Sequence, residues 1–314
     1  MKHRIIFIFP LLALLCSCTA GKYETFTGYA QGGVYAVKAN LAGVRVPKSE
    51  IAGAIDSILT SIDFSLSGYN KASILSRRNA GEAVEPDEHF RRLLELSEAF
   101  SEETGGALDV WSAPLFDIWG FGFTTDSLPP EDRIAAAMEE CRAHSKLNFN
   151  AVAQGYTSDV IAGYLHSLGV KDMLVDIGEI YCEGLNPSGK GWTVGIDRPT
   201  DGNNTPGADL QGIWQSDGSA CGIVTSGNYR KFYIRDGKKY AHTIDPRTGY
   251  PVEHDLLSAT IVAPTASEAD ALATACMVMG PESSREYIES HEGIEGFLVT
   301  SDGQWASEGF RMVR

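Results

Sequence analysis

Hydrophobic periodicity switches between two and about 3.6 residues along this chain, without the regular strand–helix–strand alternation that a doubly wound parallel sheet requires. Alternation around Val34, Tyr35 and Val37 predicts a strand within Tyr29 to Leu41, and Ile51, Ile55, Ile58 and Leu59 predict a helix over Ser49 to Ile62. Further helices are expected over Pro86 to Glu103, Glu131 to Ala143, Thr157 to Leu168 and Ser267 to Met279, the last two starting on residues suited to N-caps. Strands are expected over Met173 to Cys182, Trp192 to Ile196, Phe232 to Arg235, Lys239 to Ile244, Leu257 to Ala263 and Gly296 to Thr300. Asp236-Gly237 suits a tight turn, so the strands flanking it should pair antiparallel. The expected class is α+β, with mixed, largely antiparallel sheets and packed helices. Pro199 to Gly207 reads as an exposed loop, and no shift in composition marks a second domain.

The first residues belong to a different problem. Lys2, His3 and Arg4 are followed by an apolar run, Ile5 to Leu15, too short to span a bilayer as a mature helix, which predicts a signal peptide over residues 1–17. In Leu15-Cys16-Ser17-Cys18, Leu stands three residues and Ser one residue before Cys18, the pattern of a bacterial lipoprotein signal. Cys18 is the expected lipidated residue of a mature chain 18–314; Cys16, preceded by Leu15, ranks second, and a plain cleaved signal is the alternative. The expected location is export with a lipid anchor in a bacterial membrane, facing the periplasm.

Of the 26 Lys and Arg, Lys2 and Arg4 leave with the leader; the remaining 24 face 41 Asp and Glu, a net charge of about −17. That field opposes binding to nucleic acid or anionic lipid, so a polyanionic ligand needs a metal, backbone N–H groups or a few local donors. Cys141, Cys182, Cys221 and Cys276 lack any CxxC or Cys/His spacing and read as buried thiols rather than a zinc site. An oxidising compartment permits a disulfide among them, but sequence leaves the pairing open.

Several segments hold chemistry-bearing residues. YAHTIDPRTGYPV, from Tyr240, places His242, Asp245, Arg247 and Thr248 around Asp-Pro and Thr-Gly turn steps. Asp245 is suited to capping its own turn, whereas His242 enters the turn on a strand, where a neutral imidazole can take a proton near neutral pH. Asp270 and Thr274 are four apart on an expected helix and could offer two hard oxygens to a cation. Ser267 and Asp270 equally fit a capping box, and spacing leaves both readings open. Thr225-Ser226-Gly227, the strand-to-helix passage Asn148 to Asp159, TGGALD ending at Asp109, and Tyr69 are each unspecific alone. No GxGxxG, Walker or GxSxG pattern points elsewhere.

Taken in order, LSGYNKASILSRRN from Leu66, TGGALDVWSAPLFDIWGFG from Thr104, NFNAVAQGY from Asn148, VTSGNYRKFY from Val224, HTIDPRTGYPV from His242 and ADALATACMVMG from Ala269 resemble the ApbE family of FAD:protein FMN transferases. The resemblance covers essentially the whole mature chain and implies a tunnelling-fold-like architecture with FAD in a cleft. It implies Mg²⁺ held by Asp270, Thr274 and the Ala151 carbonyl, with His242 as base on the acceptor hydroxyl. Gln31, Tyr69, Ala107, Leu108, Asp109, Asn148, Gln154 and Ile244 match positions lining the FAD site.

The reaction so implied moves FMN from FAD to a Ser or Thr of a target flavoprotein, such as a subunit of a membrane redox complex, and releases AMP. Three departures stand out: Gln154 replaces a frequent Lys, Asn148 replaces the usual Asp, and Ile177-Gly178-Glu179 has one glycine where two are usual, which puts a role for Glu179 in doubt. An FAD pyrophosphatase and a non-catalytic periplasmic flavin-binding lipoprotein are the competing expectations.

Overall fold

A computed structural model of the chain describes residues 22–122, 128–203, 205–230, 232–235 and 237–313. The expected signal peptide, Cys18 and Asp236 lie outside the described residues. In chain order, β1 (Tyr23–Ala30) and β2 (Gly33–Asn40) lead into α1 (Lys48–Leu66), α2 (Ile74–Asn79), α3 (Glu88–Glu103), a 3-10 turn (Val110–Ser112), α4 (Ala113–Ile118), α5 (Glu131–Arg142) and α6 (Ala153–Ser167). Then come β3 (Met173–Asp176), β4 (Ile180–Glu183), β5 (Thr193–Asp197), β6 (Leu210–Gln215), β7 (Cys221–Gly227), β8 (Phe232–Arg235) and β9 (Lys238–Ala241). The described chain closes with β10 (Ile244–Asp245), β11 (Tyr250–Pro251), β12 (Leu256–Ala263), α7 (Ala266–Met279), α8 (Pro281–Ser290), β13 (Glu295–Thr300) and β14 (Gln304–Ala306).

Eight strands form one sheet in the order β1-β2-β3-β4-β7-β12-β13-β14, and each neighbouring pair is antiparallel. The α+β expectation is met. On one face, α1 and α6 pack on β1 to β3 through Ile51, Ile55, Ile161 and Leu165 against Val37 and Val175. Next to them, α7 and α8 pack on β7, β12 and β13 around Val224, Ile261, Leu272 and Leu298. The opposite face is covered by the β5–β6 ribbon and its flanks, where Trp192 and Trp214 meet Ile223, Phe297 and Phe310. Successive residues such as Ile223 and Val224 serve opposite faces, as the pleat demands.

The helices show two kinds of sequence logic. In α1, Ile51, Ile55, Leu59, Ile62 and Leu66 form one buried stripe. By contrast, α7 is buried almost all round, because it lies between the sheet and α6; its Ala-rich sequence lets neighbours approach closely. The start of α7 is fixed by Asp159 of α6, whose carboxylate accepts from Ala266 N and Ser267 N (both 2.8 Å) and from Ser267 Oγ. Thr265 caps the same turn by accepting from Glu268 N (3.2 Å).

Several elements differ from the periodicity reading. The single strand expected within Tyr29 to Leu41 is the end of one hairpin arm and the whole of another, turned at Gln31-Gly32, where both residues take positive φ (50° and 84°). Met173 to Cys182 is likewise the hairpin β3–β4, because buried Ile177 continues the apolar alternation through a turn that Gly178 makes at φ 106°. Thr157 does not start α6: the helix begins at Ala153, and the Thr157 hydroxyl donates back to Ala153 O (2.7 Å). Lys239 to Ile244 divides into β9 and β10, and β8 pairs antiparallel with β9 as the turn chemistry predicted. Six-residue α2 and α4 are too short to display a helical period.

Asp159→Ala leaves two backbone donors and a hydroxyl at the start of α7 without their acceptor, and should lower unfolding free energy by about 2 kcal/mol. Ser267→Ala removes one of those bonds and should cost less. Urea denaturation of the two variants beside the parent checks the order.

Candidate active site

The close contact of α6 with α7 builds the floor of a cleft. Gly155 sits where an added Cβ would lie 2.2 Å from Ala266 O and 2.8 Å from Asp270 Cβ, so only glycine permits this approach. Its N–H donates to Asp270 Oδ2 (3.0 Å), while at this helix entry Ala153 N bonds Phe149 O and Tyr156 N bonds Val152 O. Ala151, at the entry to α6, borders the same cavity as the Asp270 carboxyl group, which is only 4% exposed. One turn along α7 from Asp270, the Thr274 hydroxyl lies 3.4 Å from that of Ser226, at the end of β7. Asp270 does not close a capping box with Ser267; Thr265 and Asp159 take the capping roles.

A cavity of about 340 Å³ opens over this floor, lined by Ala151, Glu179, Thr225, Ser226, Asp270 and Thr274. Its walls bring in Ala107, Leu108 and Asp109, Asn148, and the segment His242 to Ile244, with Tyr69 and Phe121 at a junction shared with a second cavity of about 240 Å³. Asp109 caps the 3-10 turn by accepting from Trp111 N (2.8 Å), and Asn148 Oδ1 accepts from Asn150 N (2.9 Å). Tyr69 is 66% exposed at the mouth.

His242 stands one residue past β9 and is half-buried, with its ring 6.3 Å from that of Phe121 in an edge-on arrangement. Its neighbour Thr243 is held by donating to Asn228 Oδ1 (2.6 Å), and Asn228 N bonds Leu257 O (3.0 Å). Asp245 stays within its own turn, accepting from Arg247 N, Nε and Nη2 (each 2.9 Å), and from this ion pair the Arg247 guanidinium is held above its ordinary pKa.

Two of the expected FAD contacts are not among the lining residues. Gln31 donates to Thr157 Oγ1 (2.6 Å), which ties the β1–β2 turn to α6. Gln154 donates to Ile177 O (3.0 Å), and its amide fills the space beside Gly178, 2.6 Å from where a Cβ would stand there. In their place the structure brings in Glu179, whose role the sequence left in doubt, and Arg230, which sequence reasoning passed over. The signal for Glu179 was its place in a one-glycine turn, whose geometry is set by the β3–β4 pairing rather than by local pattern.

The electrostatics follow from burial in an acidic cleft. Burial pushes Asp270 up to about 8, with the Gly155 N–H opposing and Asp159 reinforcing. Burial, then Asp270 and Asp176, raise Glu179 well above the usual carboxylate range, against the pull of the Arg230 guanidinium. Among the described residues no three His, Cys, Asp or Glu side chains are grouped to hold a metal by themselves. A carboxylate, a hydroxyl and a backbone carbonyl are instead the hard, incomplete donor set that suits Mg²⁺ sharing its shell with substrate phosphate.

Comparison with known proteins gives relatives that span most of the chain. The sequence model of the ApbE family matches residues 31–298. A relative from Escherichia coli strain K12, named FAD:protein FMN transferase, is 32% identical over 304 residues covering 87% of this chain and 85% of the relative. One of the same name from Vibrio cholerae is 31% identical over 99% of this chain and 98% of its own. Among solved structures, the Pseudomonas stutzeri flavinyl transferase ApbE in its apo form superposes with a TM-score of 0.80 at 33% identity, covering 92% of this chain and 95% of that one.

In protein freed of divalent cations, folded Asp270 keeps its proton up to about pH 8, whereas unfolded Asp loses it near about pH 4. The folded state therefore binds more protons across that window, and stability falls as pH rises through it. Asp270→Asn should flatten the decline, read as urea midpoints at successive pH values in chelator; an unchanged slope would contradict the assignment.

Proposed function

The chain belongs to the ApbE family, and we propose that it is an FAD:protein FMN transferase whose acceptor is a Ser or Thr hydroxyl of a flavoprotein. The observation that carries the reading is the convergence of Asp270, Thr274, the Ala151 carbonyl and His242 on one cavity, from α7, the α6 entry and the β9–β10 link. Asp270, Thr274 and Ala151 are the residues that would hold Mg²⁺. When bound, that ion would neutralise the diphosphate and stabilise charge developing on phosphorus and on AMP.

This chain's own groups do the positioning. The backbone at Ala107 to Asp109 and the Asn148 side chain border the space for the dinucleotide, and the Tyr69 face offers a stacking surface for the flavin. The acceptor oxygen attacks the FMN-side phosphorus while the bond to the bridging oxygen breaks, and AMP departs with that oxygen. His242 takes the hydroxyl proton as the new O–P bond forms. Arg230 lines the same cavity and brings a cation that Gln154, turned to Ile177 O, does not provide.

Purified protein with FAD, Mg²⁺ and an acceptor domain should release AMP and leave the acceptor fluorescent after denaturation. His242→Ala should lower transfer by at least about 100-fold while FAD still binds. AMP and free FMN with an unlabelled acceptor would replace this reading with a pyrophosphatase.

We also propose export, with lipid attachment at Cys18 and a periplasmic location. Among the described residues no helix is long and apolar enough to cross a membrane. Expressed protein should incorporate labelled fatty acid and Cys18→Ser should not; wild-type protein without label would refute the anchor.

A further inference from the structure

Four cysteines lie within the described residues, and three sheet or helix clusters separate them. Cys141 is in the α4–α5 cluster and Cys276 in the α7 core, each without a cysteine neighbour in its cluster. Cys182 and Cys221 are different. They stand directly opposite each other in the antiparallel β4–β7 pair, on the same face of the sheet, with their sulfurs 3.8 Å apart. Directly opposed residues of an antiparallel pair have Cα atoms about 4.5 to 5.5 Å apart, within the range that a disulfide spans. Closing the remaining gap of about 2 Å between the sulfurs needs side-chain rotation, not movement of the strands.

We propose that Cys182 and Cys221 are a disulfide site, joined when the protein meets a disulfide oxidant. Cys221 is partly exposed and Cys182 fully buried, which sets the order of steps. The Cys221 thiolate attacks one sulfur of a small-molecule disulfide such as oxidised glutathione, expelling one glutathione thiolate. Cys182 then gives up its proton and attacks Cys221 Sγ, expelling the second. The two protein thiols lose two protons and two electrons, and one glutathione disulfide becomes two thiols.

The link would join neighbouring strands near the middle of the eight-stranded sheet. One of them, β4, begins immediately after Glu179, and the other, β7, runs to Thr225 and Ser226 at the cleft. The staple lies at the far end of β7 from those residues and joins positions 39 apart in the chain, enough to restrict the unfolded chain appreciably.

The test is incubation of the full-length protein with oxidised glutathione, then alkylation under denaturing conditions and peptide mapping without reductant. Expected are a peptide pair joined through Cys182 and Cys221, about 2 Da lighter than the two free thiol peptides, and its loss on reduction. Melting temperature should rise by about 5 °C on oxidation, and Cys221→Ser should abolish the rise and leave flavin transfer unchanged. Cys182→Ser should trap a glutathione adduct of about 305 Da on Cys221. Wild-type peptides with both cysteines alkylated, a lasting glutathione adduct on wild-type Cys221, or a link through Cys141 or Cys276 would overturn the proposal; peptide mapping decides even if a variant fails to fold.

Discussion

The contact of α6 with α7 is the constraint on which the site rests. Gly155 brings backbone against backbone, its N–H holds Asp270, and Asp159 one turn later secures the start of α7. Each part depends on the others: a side chain at position 155 would push Ala266 and Asp270 away, and without Asp159 the buried first turn of α7 would carry unmet donors. Since α7 also packs on β7 and β12, the same contact sets where Thr274 meets Ser226.

The cleft resolves the problem that the acidic composition poses. A net charge of −15 disfavours a diphosphate ligand, and Asp270 and Glu179 both line the cleft, where burial raises the pKa of each and Asp270 adds to the rise at Glu179. Arg230 reaches the cavity while ion-paired to Asp197 (2.5 Å). Apart from Asp109 and His242, the remaining polar groups of the lining are hydroxyls, amides and backbone, which orient an anion without adding to the negative field.

Much of the site was legible because its residues come in short runs with their own chemistry: Asp270 and Thr274 share a helix face, and His242 precedes a turn that Asp245 closes locally, as its turn chemistry predicted. Glu179 and the fate of Gln154 were not legible. Both follow from the single-glycine turn between β3 and β4, where Gly178 leaves room for the Gln154 amide and turns Glu179 into the cleft. Alternating apolar residues read the same through a tight hairpin as along one strand, which is why β1–β2 and β3–β4 each passed for a single element.

By itself the sequence determined the α+β class, the helices with a clear apolar stripe, and the ordered segments that place the chain in its family, since periodicity and turn chemistry are local properties of the chain. Tertiary structure alone decided which hydrogen bond Asp270 makes, which glutamine turns from the cleft, and which two cysteines face each other. Those outcomes depend on strand register and on helix-to-helix distance, and both are settled between segments far apart in the chain.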